Sequence, residues 1–93
     1  MKVTVKFYAH LRDLIGQKAI VELDMKEDAT ISELLDKLLL DSRIKEVLLD
    51  ENRDLKPDIT ILKNGREIRY LAGTDTRLEP GDEISFFPIV AGG

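Results

Sequence analysis

Val3, Val5 and Phe7 alternate with Lys2, Thr4 and Lys6, the period-two pattern of a strand with one buried face. A loop around Arg12-Asp13-Leu14-Ile15-Gly16 follows. In Lys18 to Leu23 the residues Ala19, Val21 and Leu23 then share one side of a second strand. The connection is too short for a parallel crossover, so the two strands form a hairpin. Next, Ile31, Leu34, Leu35, Leu38 and Leu39 recur at helical spacing. Thr30 stands at the N-cap and Glu33 three residues on, the pattern of a capping box. Leu40 is expected to widen this apolar stripe, while Glu33, Asp36 and Lys37 face water. Ile44, Val47 and Leu48 predict a shorter helical turn before the polar connector Asp50 to Asp54.

The second half returns to strand patterns. Ile59 to Leu62 reads as a strand, and Asn64-Gly65 predicts a type I′ turn because both residues tolerate positive φ. Arg66 to Arg69 would be the short return strand. Glu79-Pro80-Gly81-Asp82 is a turn into a last strand, Glu83 to Phe87. Pro88 has no N–H to donate, so the chain is expected to leave the sheet there and continue as a flexible tail over 88–93. This order predicts an α+β fold, a mixed sheet of four to five strands packed on one main helix. With the helix between the opening hairpin and the later strands, the first and last strands can lie parallel at the sheet centre. That is the β-grasp arrangement, with other α+β sandwiches as alternatives.

Composition narrows the function classes. Ninety-three residues suggest one domain, 1–93, whose single core buries roughly 60 to 65% of the unfolded surface. Hydrophobic residues make up 43% and charged ones 34%, as in a globular protein rather than a disordered one. Fourteen basic against eighteen acidic residues give a net charge of −4 and no cationic excess for phosphates, so no nucleic-acid partner is expected. An acidic chain could still dock on a basic partner. Cysteine is absent, which excludes disulfides, thiolate nucleophiles and cysteine-ligated metal. The alternating N-terminus is neither a signal peptide nor a membrane span, so no membrane partner and a cytoplasmic location are expected.

The candidate chemistry lies in the ending Pro88-Ile89-Val90-Ala91-Gly92-Gly93. A terminal carboxylate on glycine has no side chain beside it, and a narrow active site of another protein could admit it. Glycines without Cβ atoms pass through a tight channel in conformations that other residues avoid. A carboxylate is a poor acyl donor, so phosphoryl activation has to precede attack by sulfur or an amine. The alternative is an ordinary frayed terminus. No other constellation competes: His10 is the sole histidine and has no evident triad companion or metal cluster, and no phosphate-binding glycine loop occurs.

Three segments in order carry a resemblance. Phe7-Tyr8-Ala9-His10-Leu11-Arg12-Asp13-Leu14-Ile15-Gly16, Leu78-Glu79-Pro80-Gly81-Asp82-Glu83-Ile84, and Phe86 through Gly93 resemble the ubiquitin-like sulfur carriers, especially the MoaD-like small subunits of molybdopterin synthase. The resemblance spans nearly the whole chain. It implies that a partner adenylating (E1-like) enzyme spends ATP to convert the Gly93 carboxylate to an acyl-adenylate. A sulfur donor would then leave a thiocarboxylate on Gly93. The large subunit of molybdopterin synthase, in a heterotetramer with this chain, would use that sulfur to build the pterin dithiolene. The chain itself would bind no cofactor or metal and would bring no catalytic side chains. A protein modifier joined to lysines through Gly93, or a carrier for tRNA thiolation, shares the same activation step.

Site residues follow from both arguments. If Ile84 and Phe86 face the core, alternation puts Phe87 and Ile89 on the other face, as a docking patch unless later loops or a β-bulge cover them. Pro88, Val90, Ala91 and Gly92 would thread into the partner. Arg12 falls on the family's arginine, which implies a partner contact; local pairing with Asp13 or Glu51 is the alternative.

Overall fold

The computed structural model describes residues 1–89. Strand β1 (Lys2–Phe7) and strand β5 (Glu83–Pro88) run parallel at the centre of a five-stranded sheet, with Val5 beside Ile84 and Phe7 beside Phe86. Strand β2 (Ile20–Asp24) pairs antiparallel with the other edge of β1. Strand β3 (Ile59–Lys63) pairs antiparallel with β5, and β4 (Arg66–Glu67) completes the order β2-β1-β5-β3-β4. This is the expected β-grasp arrangement. The β3–β4 hairpin turns where the sequence permits, with Asn64 at φ 49° and Gly65 at φ 84°.

Val3, Val5, Phe7, Ile84 and Phe86 form the floor of the core, each at most 2% exposed. Three helices cover it: α1 (Ala9–Ile15), α2 (Ile31–Leu38) and α3 (Ser42–Leu48). In α2 the Thr30 hydroxyl accepts the Glu33 N–H at 3.3 Å, the predicted cap, while the Glu33 carboxylate pairs with Lys26 Nζ at 3.0 Å. Ile31, Leu34 and Leu38 are buried. Leu40 does not widen their stripe: the helix stops at Leu38, and Leu40 is 85% exposed. The predicted turn at Ile44, Val47 and Leu48 is α3, capped by the Asp41 carboxylate accepting from the Arg43 and Ile44 N–H groups.

Other expectations are corrected. The segment around Arg12–Gly16 is helical: Leu11 and Ile15, four residues apart, are buried, and Gly16 at φ 75° ends the helix. A 3₁₀ turn over Gly16–Ala19 buries Ala19, so β2 starts at Ile20 rather than Lys18. His10 lies in the same helix, α1. The return strand ends at Glu67, because Ile68 turns into the core within a 3₁₀ turn.

A further correction concerns Pro88, which stays in the sheet opposite Ile59. Asn64 N–H donates to the Glu83 carbonyl and Tyr8 N–H to the Phe86 carbonyl. Odd residues of β5 thus bond towards β3 and even ones towards β1. The missing N–H of Pro88 faces the side where β1 has already ended, so no ladder bond is lost. Ile89 N–H then donates to the Asp58 carbonyl at 2.5 Å. Residues 88 and 89 are therefore held to the sheet and are not part of a free tail.

The start of β5 is tied down as firmly. Asp82, 5% exposed, accepts from Asn64 Nδ2 through Oδ1 and from the Glu79 N–H through Oδ2, both at 2.8 Å. Asn64 Oδ1 in turn accepts the Glu83 N–H at 2.8 Å, and Lys63 Nζ lies 3.5 Å from Asp82 Oδ2. One buried carboxylate, fully hydrogen-bonded, thereby couples the β3–β4 turn to the turn entering β5.

Candidate functional site

Alternation along the central strands builds a surface at the end of β5. Since Ile84 and Phe86 point into the core, Ser85 and Phe87 belong to the open face of the sheet. Carrying the period of β1 one residue beyond Phe7 puts Tyr8 on that same face, and the parallel register sets it beside Phe87. The two rings stack with centroids 4.2 Å apart and planes 6° from parallel. Ile89, 49% exposed, continues the apolar surface along β5. Thr60 of β3 is opposite Phe87, and Ser85 is flanked by Lys6 and Leu62. An aromatic pair amid polar neighbours has the make-up of a docking anchor with a rim. Tyr8 was not singled out by sequence reasoning, although the period-two pattern contained it.

The rim holds one ion pair, Lys6 Nζ to Glu83 Oε1 at 3.0 Å. The hydrogen bond and charge of Glu83 raise the Lys6 ammonium above its ordinary 10.5. Arg12 lies on α1, one turn beyond Tyr8, with its N–H donating to the Tyr8 carbonyl at 3.4 Å. Its guanidinium pairs locally with Asp13, Nε to Oδ1 at 3.8 Å, between side chains 64% and 74% exposed. A pair so exposed contributes at most about 1 kcal/mol and leaves the guanidinium available to a partner.

Phe87 belongs to the open face, Ile89 is exposed just beyond β5, Pro88 ends β5, and Arg12 stands on the adjoining helix. Val90, Ala91, Gly92 and Gly93 lie outside the described residues. Among the described residues no group of three or more His, Asp or Glu could hold a metal ion, and no buried side-chain polar atom lacks a hydrogen-bond partner. The described part of the molecule is equipped to be recognised.

The sequence model of the ThiS family matches residues 5–93. A curated relative, small archaeal modifier protein 3 of Haloferax volcanii, is 39% identical over 93 residues, covering 100% of both chains. Among solved structures, a chain of the BexX/CysO complex of Amycolatopsis orientalis is 32% identical with TM-score 0.72, covering 98% of this chain and 99% of that one. A chain from Pyrococcus furiosus, provisionally assigned as molybdopterin converting factor subunit 1, is 29% identical with TM-score 0.71, covering 97% and 99%.

Proposed function

The chain belongs to the ThiS family of ubiquitin-like sulfur carriers, and from this we propose that its reactive group is the Gly93 carboxylate, presented to partner enzymes beside the Tyr8–Phe87 anchor. The carboxylate oxygen attacks the α-phosphorus of ATP bound on an adenylating partner, and pyrophosphate leaves. A sulfide-equivalent donor then attacks the acyl carbon, AMP leaves, and a thiocarboxylate remains on Gly93. ATP and the catalytic side chains belong to the partner. The thiocarboxylate sulfur is destined for the dithiolene of molybdopterin, with this chain as the small subunit of a heterotetrameric synthase in the cytoplasm.

The observation that carries this reading is the position of the stacked Tyr8–Phe87 pair next to Ile89, which is bonded to the Asp58 carbonyl. Four residues separate Ile89 from the end of Gly93, and four extended residues reach at most about 14 Å. A partner must therefore place its reactive centre within that distance of the surface that grips Phe87. A second reading, conjugation of activated Gly93 to lysines of other proteins, is favoured by the full-length similarity to a small archaeal modifier protein.

The test is reconstitution with the adenylating enzyme, ATP and a sulfide source, followed by intact-mass measurement. The expected product carries one sulfur in place of one oxygen, and a chain lacking Gly92-Gly93 folds normally but gives none. Unchanged mass with the active enzyme overturns the reading. Adding a molybdopterin synthase large subunit and the pterin precursor separates the destinations: dithiolene formation supports the first, and lysine conjugates without it support the second.

A further inference from the structure

The far edge of the sheet offers a second interaction surface, independent of the chemistry at Gly93. Met25 N–H donates to the Met1 carbonyl at 2.7 Å and the Met1 amine to the Met25 carbonyl at 2.6 Å. This fixes Val3–Leu23 and Val5–Val21 as the pairs that exchange ladder bonds, since such pairs alternate in an antiparallel ladder. The backbone groups of Ile20, Glu22 and Asp24 therefore face outward from β2, the terminal strand of the sheet order. Lys37 Nζ has already taken one of these, the Asp24 carbonyl, at 2.5 Å.

Beside this edge lies a groove of about 440 Å³ between β2, the end of α2 and the start of α3. Half-buried Val21 and Leu23 form one wall, with Leu38 and Ile44 opposite. Ile20, 66% exposed, stands at the mouth. An edge with unpaired amides next to an apolar groove suits an added strand, whose main chain bonds to Ile20 and Glu22 while alternate side chains enter the groove. The carboxylates of Glu22 in the groove and of Asp24 next on the strand outnumber the one ammonium that lines it, Lys37, which is held on the Asp24 carbonyl. This favours cationic flanks on the incoming strand. A second copy of the chain is a poor occupant, because full antiparallel overlap of two β2 strands would set Glu22 directly against Glu22.

We propose that the β2 edge and its groove bind an extended apolar segment of a partner protein flanked by lysine or arginine. The test titrates the isotopically labelled full chain with the peptide Lys-Lys-Val-Thr-Val-Thr-Val-Lys-Lys and follows its amide spectrum. Saturable shifts and slowed hydrogen exchange are expected at Ile20, Glu22 and Asp24. A counterpart with glutamates for lysines should bind at least about tenfold more weakly, the loss of a few screened charge contacts. Glu22→Pro removes an outward N–H while sparing the bonds to β1, and should abolish the shifts with the rest of the spectrum intact. Should that variant misfold, Glu22→Lys keeps the backbone and should weaken binding several-fold. Absence of saturable shifts at millimolar peptide, equal binding of the glutamate peptide, shifts confined to Tyr8 and Phe87, or self-association through β2 would each overturn the proposal.

Discussion

Two aromatic pairs occupy neighbouring rungs of the same two strands and face opposite ways. Phe7 and Phe86 meet inside the core with centroids 5.0 Å apart, each at most 2% exposed. Tyr8 and Phe87 meet one residue further along, on the open face. The inner pair is enclosed by helices and its removal would leave a cavity. The outer pair is half-buried at the boundary with water, so its contribution to folding is smaller than that of the inner pair. A shift of one position along a strand separates a residue that holds the fold from one that is free to hold a partner.

Substitutions can sharpen that contrast. Phe86→Ala should cost about 3–5 kcal/mol in urea unfolding, a large share of a small domain's stability. Sulfur loading at a temperature where it stays folded should be little changed, and an equal loss of loading would erase the distinction. Phe87→Ala should reverse the profile: under about 1.5 kcal/mol in stability, but on the order of tenfold or more in kcat/KM for adenylation, as for an interface anchor. Tyr8→Ala should cost loading less, because Phe87 stays in place. The double variant should then show a coupling of about 0.5–1.5 kcal/mol in a mutant cycle; strict additivity would mean that the two rings do not act as a unit.

The smallest effect concerns pH. Glu83 raises the Lys6 pKa in the folded state, so the pair's stabilisation is present below the ordinary lysine value of 10.5 and is lost as pH rises through the folded-state value. Glu83→Gln should therefore lower stability slightly throughout the range below that value, and its difference from the parent chain should vanish as pH rises through the folded-state value. The pair is exposed, so the difference will be slight.

Much of this contrast was readable in the sequence because it rests on period two. Val3, Val5, Phe7, Ile84 and Phe86 alternate cleanly, Asn64-Gly65 admits few conformations other than its turn, and Thr30 with Glu33 marks a helix start. Helix α1 was hidden because seven residues give only one i, i+4 pair, Leu11 and Ile15, while Leu14, equally apolar, is 56% exposed. Its entry also needs Ala9 at φ 54°, a left-handed conformation that alanine rarely adopts and that only the surrounding structure imposes. Ile68 and Leu40 failed for related reasons: the strand and helix patterns run on, but tertiary packing ends the elements at Glu67 and Leu38. The site at the end of β5 was half legible. Phe87 and Ile89 came from alternation, whereas the pairing of Phe87 with Tyr8 needed the parallel register between strands some 80 positions apart.

Strand β5 has neighbours on both sides and is anchored at its beginning by the Asp82 network. Tension applied beyond Ile89 therefore acts along the strand axis and loads the hydrogen bonds to β1 and β3 together in shear, not one after another as when a hairpin is peeled. An enzyme gripping the terminus can tug on it, and a product complex can be pulled apart, while the body behaves as a rigid handle.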